Sequence, residues 1–424
     1  MNTTRRHLVQ ALLGAGALAP WATLSVAQPA SPATLAGRTH GGAPGALSDR
    51  PDAPRFVFVI LRGGLDGLTA APVPGDPAFA DARGPLGRFD TFATPPLPLT
   101  GPFALHPLLP QLHAMYGRGE LLLVHAAGLP YRERSHFDAQ QVLESGGTRP
   151  YELTSRALAA ATPGGTAPTM KAVALETAVP LVLRGPAEVD TWAPSTLPEP
   201  APDLVARLEV MYRGDPALAQ ALARARELRE VARLGANPAL DMQAGGMAGL
   251  GGNARNAVRL ATKAAEFLQR GSQAAVLEMG GWDSHTNQAA PQGALSNNLR
   301  ALDAALAALR QGLLPGDTWS RTVVLVATEF GREVAMNGNL GTDHGSGGAA
   351  FVLGGAVHGG RVLADWPGLA KAQRFEGRDL RITTDLRAVW RGVLGDHLRV
   401  PTAALDATVL PGSAELARVE VLKG

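Results

Sequence analysis

Between Pro54 and the pair Gly63-Gly64, residues Phe56 to Leu61 run Phe-Val-Phe-Val-Ile-Leu without a polar interruption. A strand written this way has no face for solvent, so it must lie inside a sheet covered on both sides. Leu121 to Ala126, Ala274 to Met279, Thr322 to Ala327 and Ala349 to Leu353 repeat the pattern, with shorter strands expected at Ala174 and Leu181. Between them stand amphipathic stretches: Leu105–Tyr116, Ser135–Glu144, Pro202–Arg213, Pro216–Arg233, Ala254–Gln269, Leu295–Leu309 and Asp385–Leu398. Buried strands alternating with helices predict an α/β fold with a mostly parallel central sheet. There is no internal repeat. The reading is one large domain over 55–424, with 200–270 as a helical insertion or cap and Gly235–Asn253 as a loop within it.

Composition removes several classes. At 46% hydrophobic and 18% charged, the 424-residue chain is not a disordered polyelectrolyte. It has no Cys, which excludes disulfide scaffolds, thiolate zinc sites, iron–sulfur clusters and cysteine nucleophiles. Lys plus Arg is 39 against 37 acids, and Arg5 and Arg6 supply the excess, so a chain starting at Gln28 balances at 37 each. No Lys/Arg run follows, and nucleic acid is not an expected partner.

Residues 1–27 read as an export signal. Arg5-Arg6 precede a weakly apolar run from Ala11 to Leu18, and Ser25-Val26-Ala27 place small residues before a cleavage point. The arginine pair ahead of a mild run fits the twin-arginine type, with its export machinery as a partner and a periplasmic or secreted destination. An ordinary secretory signal is the alternative. Residues 28–54, rich in Pro, Ala and Gly, read as a flexible linker. No later stretch reaches the roughly 18 apolar residues of a membrane span.

Chemistry-bearing residues collect where strands end. The first strand runs into Arg62-Gly-Gly-Leu-Asp66-Gly, the one at 274–279 into Gly-Gly-Trp-Asp283-Ser-His285, and the one at 322–327 into Thr-Glu329-Phe-Gly-Arg332 and then Gly341-Thr-Asp343-His344-Gly. Ligands of open α/β sheets bind beyond the carboxyl ends of strands. Asp66, Asp283 and Glu329 are therefore expected to converge. Gathered carboxylates repel unless a cation compensates, and with two imidazoles the sulfur-free set suits zinc, manganese or magnesium. Taken singly, Asp66 is also a turn residue, Asp343-His344 a cap, and Glu329 a partner for Arg332. A second cluster is Arg134-Ser135-His136-Phe-Asp138, where a hydroxyl at a helix start beside arginines can hold or attack an oxyanion. The competing reading makes Ser135 an N-cap with Asp138 closing a capping box, and His136 an outlying group. The nucleophile elbow, the phosphate loop and His-Glu-x2-His are absent.

These motifs, in this order, resemble the bacterial family called domain of unknown function 1501. The matching runs are Leu61–Leu68, Arg134–Asp138, Gly280–His285, Glu329–Arg332 and Gly341–His344-Gly345, followed by Gly359-Gly360 and Asp365-Trp366-Pro367. The resemblance spans roughly Arg55 to Leu398. It implies an alkaline-phosphatase-like three-layer sandwich, a branch of the phosphatase and sulfatase superfamily with metals at the strand ends. By that resemblance Asp66, Asp283, His285, Glu329, Asp343 and His344 are metal ligands. Ser135 stands at the nucleophile position, supported by Arg134, His136 and Arg332, while Phe330 replaces an expected His. The implied activity is an exported, metal-dependent hydrolase of small phosphate or sulfate esters. The alternative is a non-catalytic exported binding or assembly protein that retains the fold.

Overall fold

The computed structural model describes residues 53–148, 171–184, 188–194, 200–234 and 251–424. The expected signal, nearly all of the linker and most of the loop 235–253 lie outside the described residues. The described residues 200–227 fall in one compact unit and the rest in another.

The larger unit is built on a nine-stranded sheet. Its elements, with the small ribbon β2–β3, are β1 (Arg55–Leu61), β2 (Leu97–Pro98), β3 (Ala104–Leu105), β4 (Leu121–Gly128), β5 (Lys171–Ala174), β6 (Glu188–Thr191), β7 (Ala274–Met279), β8 (Thr322–Thr328), β9 (Gly348–Leu353), β10 (Arg361–Leu363) and β11 (Thr384–Asp385). The order is β10-β4-β9-β8-β1-β7-β5-β6, with β11 on β4. Every pairing in it is parallel except those of β9, which runs against both β4 and β8. This is the mixed α/β, mostly parallel sheet that the apolar runs predict. The expected strand at Leu181 is instead a 3-10 turn, Leu181–Leu183, opened by Pro180.

Helices are α1 (Gly67–Ala70), α2 (Phe79–Arg83), α3 (Pro110–Gly117), α4 (His136–Ser145), α5 (Pro202–Met211), α6 (Pro216–Leu234), α7 (Gly252–Gln269), α8 (Ala294–Leu313) and α9 (Leu386–Gly392). The two-residue period of β1 sorts its side chains into two cores. Val57, Val59 and Leu61 face Leu112 of α3, Leu260 of α7 and Leu302 of α8. Phe56, Phe58 and Ile60 face Val142 of α4 and Val389 and Trp390 of α9. Trp390 meets Phe58 edge-on at 4.8 Å. Burying each such side chain is worth about 1.5–3 kcal/mol, so both helical layers are tied to the same strand. The helix α7, expected within the insertion at 200–270, belongs to this core; only its neighbours α5 and part of α6 lie in the smaller unit. Among the described residues, no helix is long and apolar enough to cross a membrane.

Parallel strands end on one edge. β1, β4, β7 and β8 all point there, and residues 329–347 leave β8 and return directly as β9. That return is what makes β9 antiparallel.

Candidate metal centre

Four segments meet on this edge: 134–140 after β4, 280–285 after β7, and 329–332 and 342–344 between β8 and β9. Their approach depends on Gly63 at the end of β1. It has φ +120, and a Cβ there would lie 2.6 Å from the backbone nitrogen of Asp283. Only glycine lets the first loop touch the second so closely.

The centre is nitrogen-rich. Nε2 of His344 lies 3.1 Å from Nε2 of His136 and 3.2 Å from Nε2 of His285. Oδ1 of Asp283 is 2.9 Å from His285 Nε2 and 3.2 Å from His344 Nε2, and its Oδ2 is 3.5 Å from His136 Nε2. Ligand atoms of His136, Asp283 and His344 all lie within 4.8 Å of one another. His285 joins from the Asp283 side.

The outer nitrogens explain why the inner ones converge. His136 Nδ1 is 2.8 Å from Glu329 Oε1, His285 Nδ1 is 3.2 Å from Asp343 Oδ1, and His344 Nδ1 is 3.1 Å from the Arg134 carbonyl. Each partner is an acceptor, so each Nδ1 carries the proton and each Nε2 turns a lone pair inward. In that tautomer the three inner lone pairs and the Asp283 carboxylate crowd one another, a repulsion relieved either by protons shared with Asp283 or by a cation. Ligands about 2.0–2.1 Å from a tetrahedral metal stand about 3.4 Å apart, close to the spacings here. The residues present therefore fit a single cation with nitrogen and oxygen donors.

Charge supports that arrangement. Burial works against ionisation of Asp283, yet Arg332, whose guanidinium donates to it at 2.6 Å, holds its carboxyl below the usual carboxylate range. Glu329 is also held low against burial, by His136, Gln140 and the Gly63 N–H. The Glu329 hydrogen bond raises His136, while burial and the neighbouring His136 lower His344. Phe330 is not a lost ligand in the wrong place. Its ring lies 4.7 Å from the His136 ring and 5.1 Å from that of His344, and walls both imidazoles in.

Several expected roles change. Asp66 is not in the cluster: it caps α1 through Leu68 and Thr69, and Arg83 at 2.5 Å and Gln288 occupy the rest of its carboxylate. Every lone pair is spent, which leaves none for a metal. Glu329 and Asp343 stand behind the histidines as acceptors, placed to orient the imidazoles and not at the inner cluster. His136, expected beside Ser135 and not among the metal ligands, is at the centre of the cluster. Glu329 does not pair with Arg332, which binds Asp283 and the Thr342 carbonyl instead. Arg134 turns its guanidinium onto Asp379 and Glu376, and contributes its carbonyl to His344. Ser135 occupies the N-cap of α4 without a side-chain cap bond, so the capping box is not formed; Asp138 takes the Tyr131 hydroxyl. Gln140, one turn along α4 from His136, is a further site residue with no sequence signal beyond that spacing.

A family model described as "Protein of unknown function (DUF1501)" matches residues 208–408. No curated protein matches the chain. Solved structures similar to it include Ps i-CgsB in complex with k-i-k-neocarrahexaose, at 9% identity, TM-score 0.39, covering 84% of this chain and 75% of that one. Another is BT1596, a 2-O GAG sulfatase, at 8% identity, TM-score 0.33, covering 86% and 72%.

Proposed function

From the premise of a chain whose residues 208–408 match the DUF1501 model, we propose a metal-dependent hydrolase of small anionic esters, of phosphate or sulfate, acting outside the cytoplasm. The observation that carries the reading is the convergence of three Nε2 atoms whose Nδ1 partners are all acceptors. His136, His344 and Asp283 would hold the cation, with His285 beside them. Zinc fits the donors best, and it supplies Lewis acidity and a more acidic bound water. The chain's own contribution is positional. Glu329, Asp343 and the Arg134 carbonyl fix the imidazoles; Arg332 fixes Asp283 and adds positive charge. The N-terminus of α4 favours an anion, and Ser135, one residue before His136 and not engaged in capping, is the candidate nucleophile.

Elemental analysis and turnover of aryl phosphates and sulfates test this together. His344→Ala loses both metal and turnover. Ser135→Ala keeps the metal and loses roughly a thousandfold or more in rate if the hydroxyl attacks. Unchanged turnover assigns the attack to water. Metal retained by the wild type without turnover across both ester panels refutes hydrolysis and leaves the binding-protein reading. The export part is supported by Arg5-Arg6 and the small residues Ser25-Val26-Ala27. With both arginines changed to lysine, precursor stays in the cytoplasm; undiminished export of that variant counts against twin-arginine reading.

A further inference from the structure

Large hydrophobic side chains left in water are uncommon, and in the larger unit the described residues leave three: Phe137 at 83% exposure, Leu340 at 51% and Leu314 at 39%. Leu314 follows the end of α8. The other two each adjoin a histidine of the cluster through the chain or a backbone bridge. Phe137 is the residue after His136. Leu340 pairs with Thr286, the residue after His285, and its carbonyl accepts from Gln288 N–H at 2.8 Å.

Neither residue has a structural reason to be apolar. Leu340 also sits at φ +62, a left-handed conformation that glycine or asparagine adopts at less cost. Asn337 builds the turn that holds it there: its side-chain oxygen accepts from Asn339 and Gly341, and its amide donates to Asp343 and the His285 carbonyl. The loop that orients a ligand therefore also presents a leucine to solvent. Exposed apolar surface beside a polar, cation-ready centre matches a molecule with an anionic head and an apolar body.

We propose that Phe137 and Leu340 are specificity-determining residues that grip the organic part of the ester, so that substrates are esters of apolar, ring- or chain-bearing alcohols and not of small polar ones. This rests on the hydrolase reading above. The test uses the zinc-loaded full chain and calorimetric titration with phenylphosphonate and methylphosphonate. Wild type binds phenylphosphonate about tenfold more tightly, as one aromatic contact supplies. Phe137→Ala and Leu340→Gly each shrink that ratio and together bring it close to one, with zinc content unchanged; the glycine also relieves the strained turn. Both ligands binding equally to wild type, or a ratio the variants leave intact, overturns the inference while sparing the anion site. Zinc held with neither phosphonate bound overturns the hydrolase reading, and this inference with it. Variants that lose binding to phosphatidylglycerol vesicles but keep the ratio reassign the two side chains to a membrane surface and overturn the inference.

Discussion

Two carboxylates that look alike in the sequence do opposite things. Asp66 and Glu329 each lie just beyond an apolar strand, yet one neutralises a buried guanidinium and the other aims an imidazole. Asp66→Asn leaves the buried Arg83 charged without its counter-ion, and is expected to cost about 3–5 kcal/mol in urea unfolding while metal content stays at the wild-type level. Glu329→Gln keeps an oxygen that accepts from His136 Nδ1, beside the Gly63 and Gln140 donors, but loses the negative charge that makes the imidazole more basic and fixes its proton on Nδ1. Metal affinity then falls about 10- to 100-fold with little change in stability. Metal lost from the Asp66 variant at full stability would reverse the assignment. The difference was not visible beforehand because Asp66 draws on Arg83, 17 residues on, and Gln288, 222 residues on. Asp283, His285 and His344 were legible because each follows a buried strand run in a glycine-bearing loop. His136 was not, since a histidine opening a helix looks the same whether it faces a metal or water.

Helix α3 shows how one element finishes another. Its N-cap residue is Leu109, which has no acceptor to offer, and the acceptor comes from α8: Asp303 takes the N–H groups of Gln111 and Leu112 at 3.1 and 2.9 Å. No amphipathic pattern reveals such a loan, although the pattern did place both helices and the strands between which they pack. Burial pushes the Asp303 carboxyl up to about 6, against the pull of those two N–H groups. The folded chain thus holds this proton more tightly than the unfolded one, whose carboxyl titrates near 3.9. Its contribution to stability is full below about pH 4 and is lost as pH rises through 6. Relative to Asp303→Asn, wild type should lose up to about 3 kcal/mol between pH 4 and 7 in paired urea titrations. A gap between the two proteins that does not move with pH would show that Asp303 is already ionised in the fold.

The molecule as a whole is expected to fail in mild acid. Burial drives His106, His125 and His397 down to about 4, and each is held by backbone: His125 and His397 by the carbonyls of Ala71 and Arg55, His106 by the N–H of Leu108. Unfolding frees them to bind protons near pH 6.5, so their stabilisation is present above that value and lost as pH falls towards 4. Among the described residues, these three imidazoles set against the raised carboxyl of Asp303, with the opposite shifts of His136 and His344 offsetting each other, leave about two protons taken up on unfolding, a slope of roughly 3 kcal/mol per pH unit between 6 and 4.5. Denaturation midpoints that hold level or climb over that range would contradict it.

Two of the inner histidines, His136 and His344, stand 208 residues apart along the chain, and four strands of the sheet, β5 to β8, lie between them. During synthesis, therefore, the ribosome has delivered β1, β4, β7 and β8 before the last imidazole emerges. A cation cannot act as a seed for this protein in the way it does for a zinc finger, whose ligands lie within one short segment. Closing a loop of that length is left to the strands, and in the proposed metal-bound form the ion would act as a latch on the assembled sheet. Occupancy then counts finished molecules: a nascent or broken chain has nowhere to keep the metal.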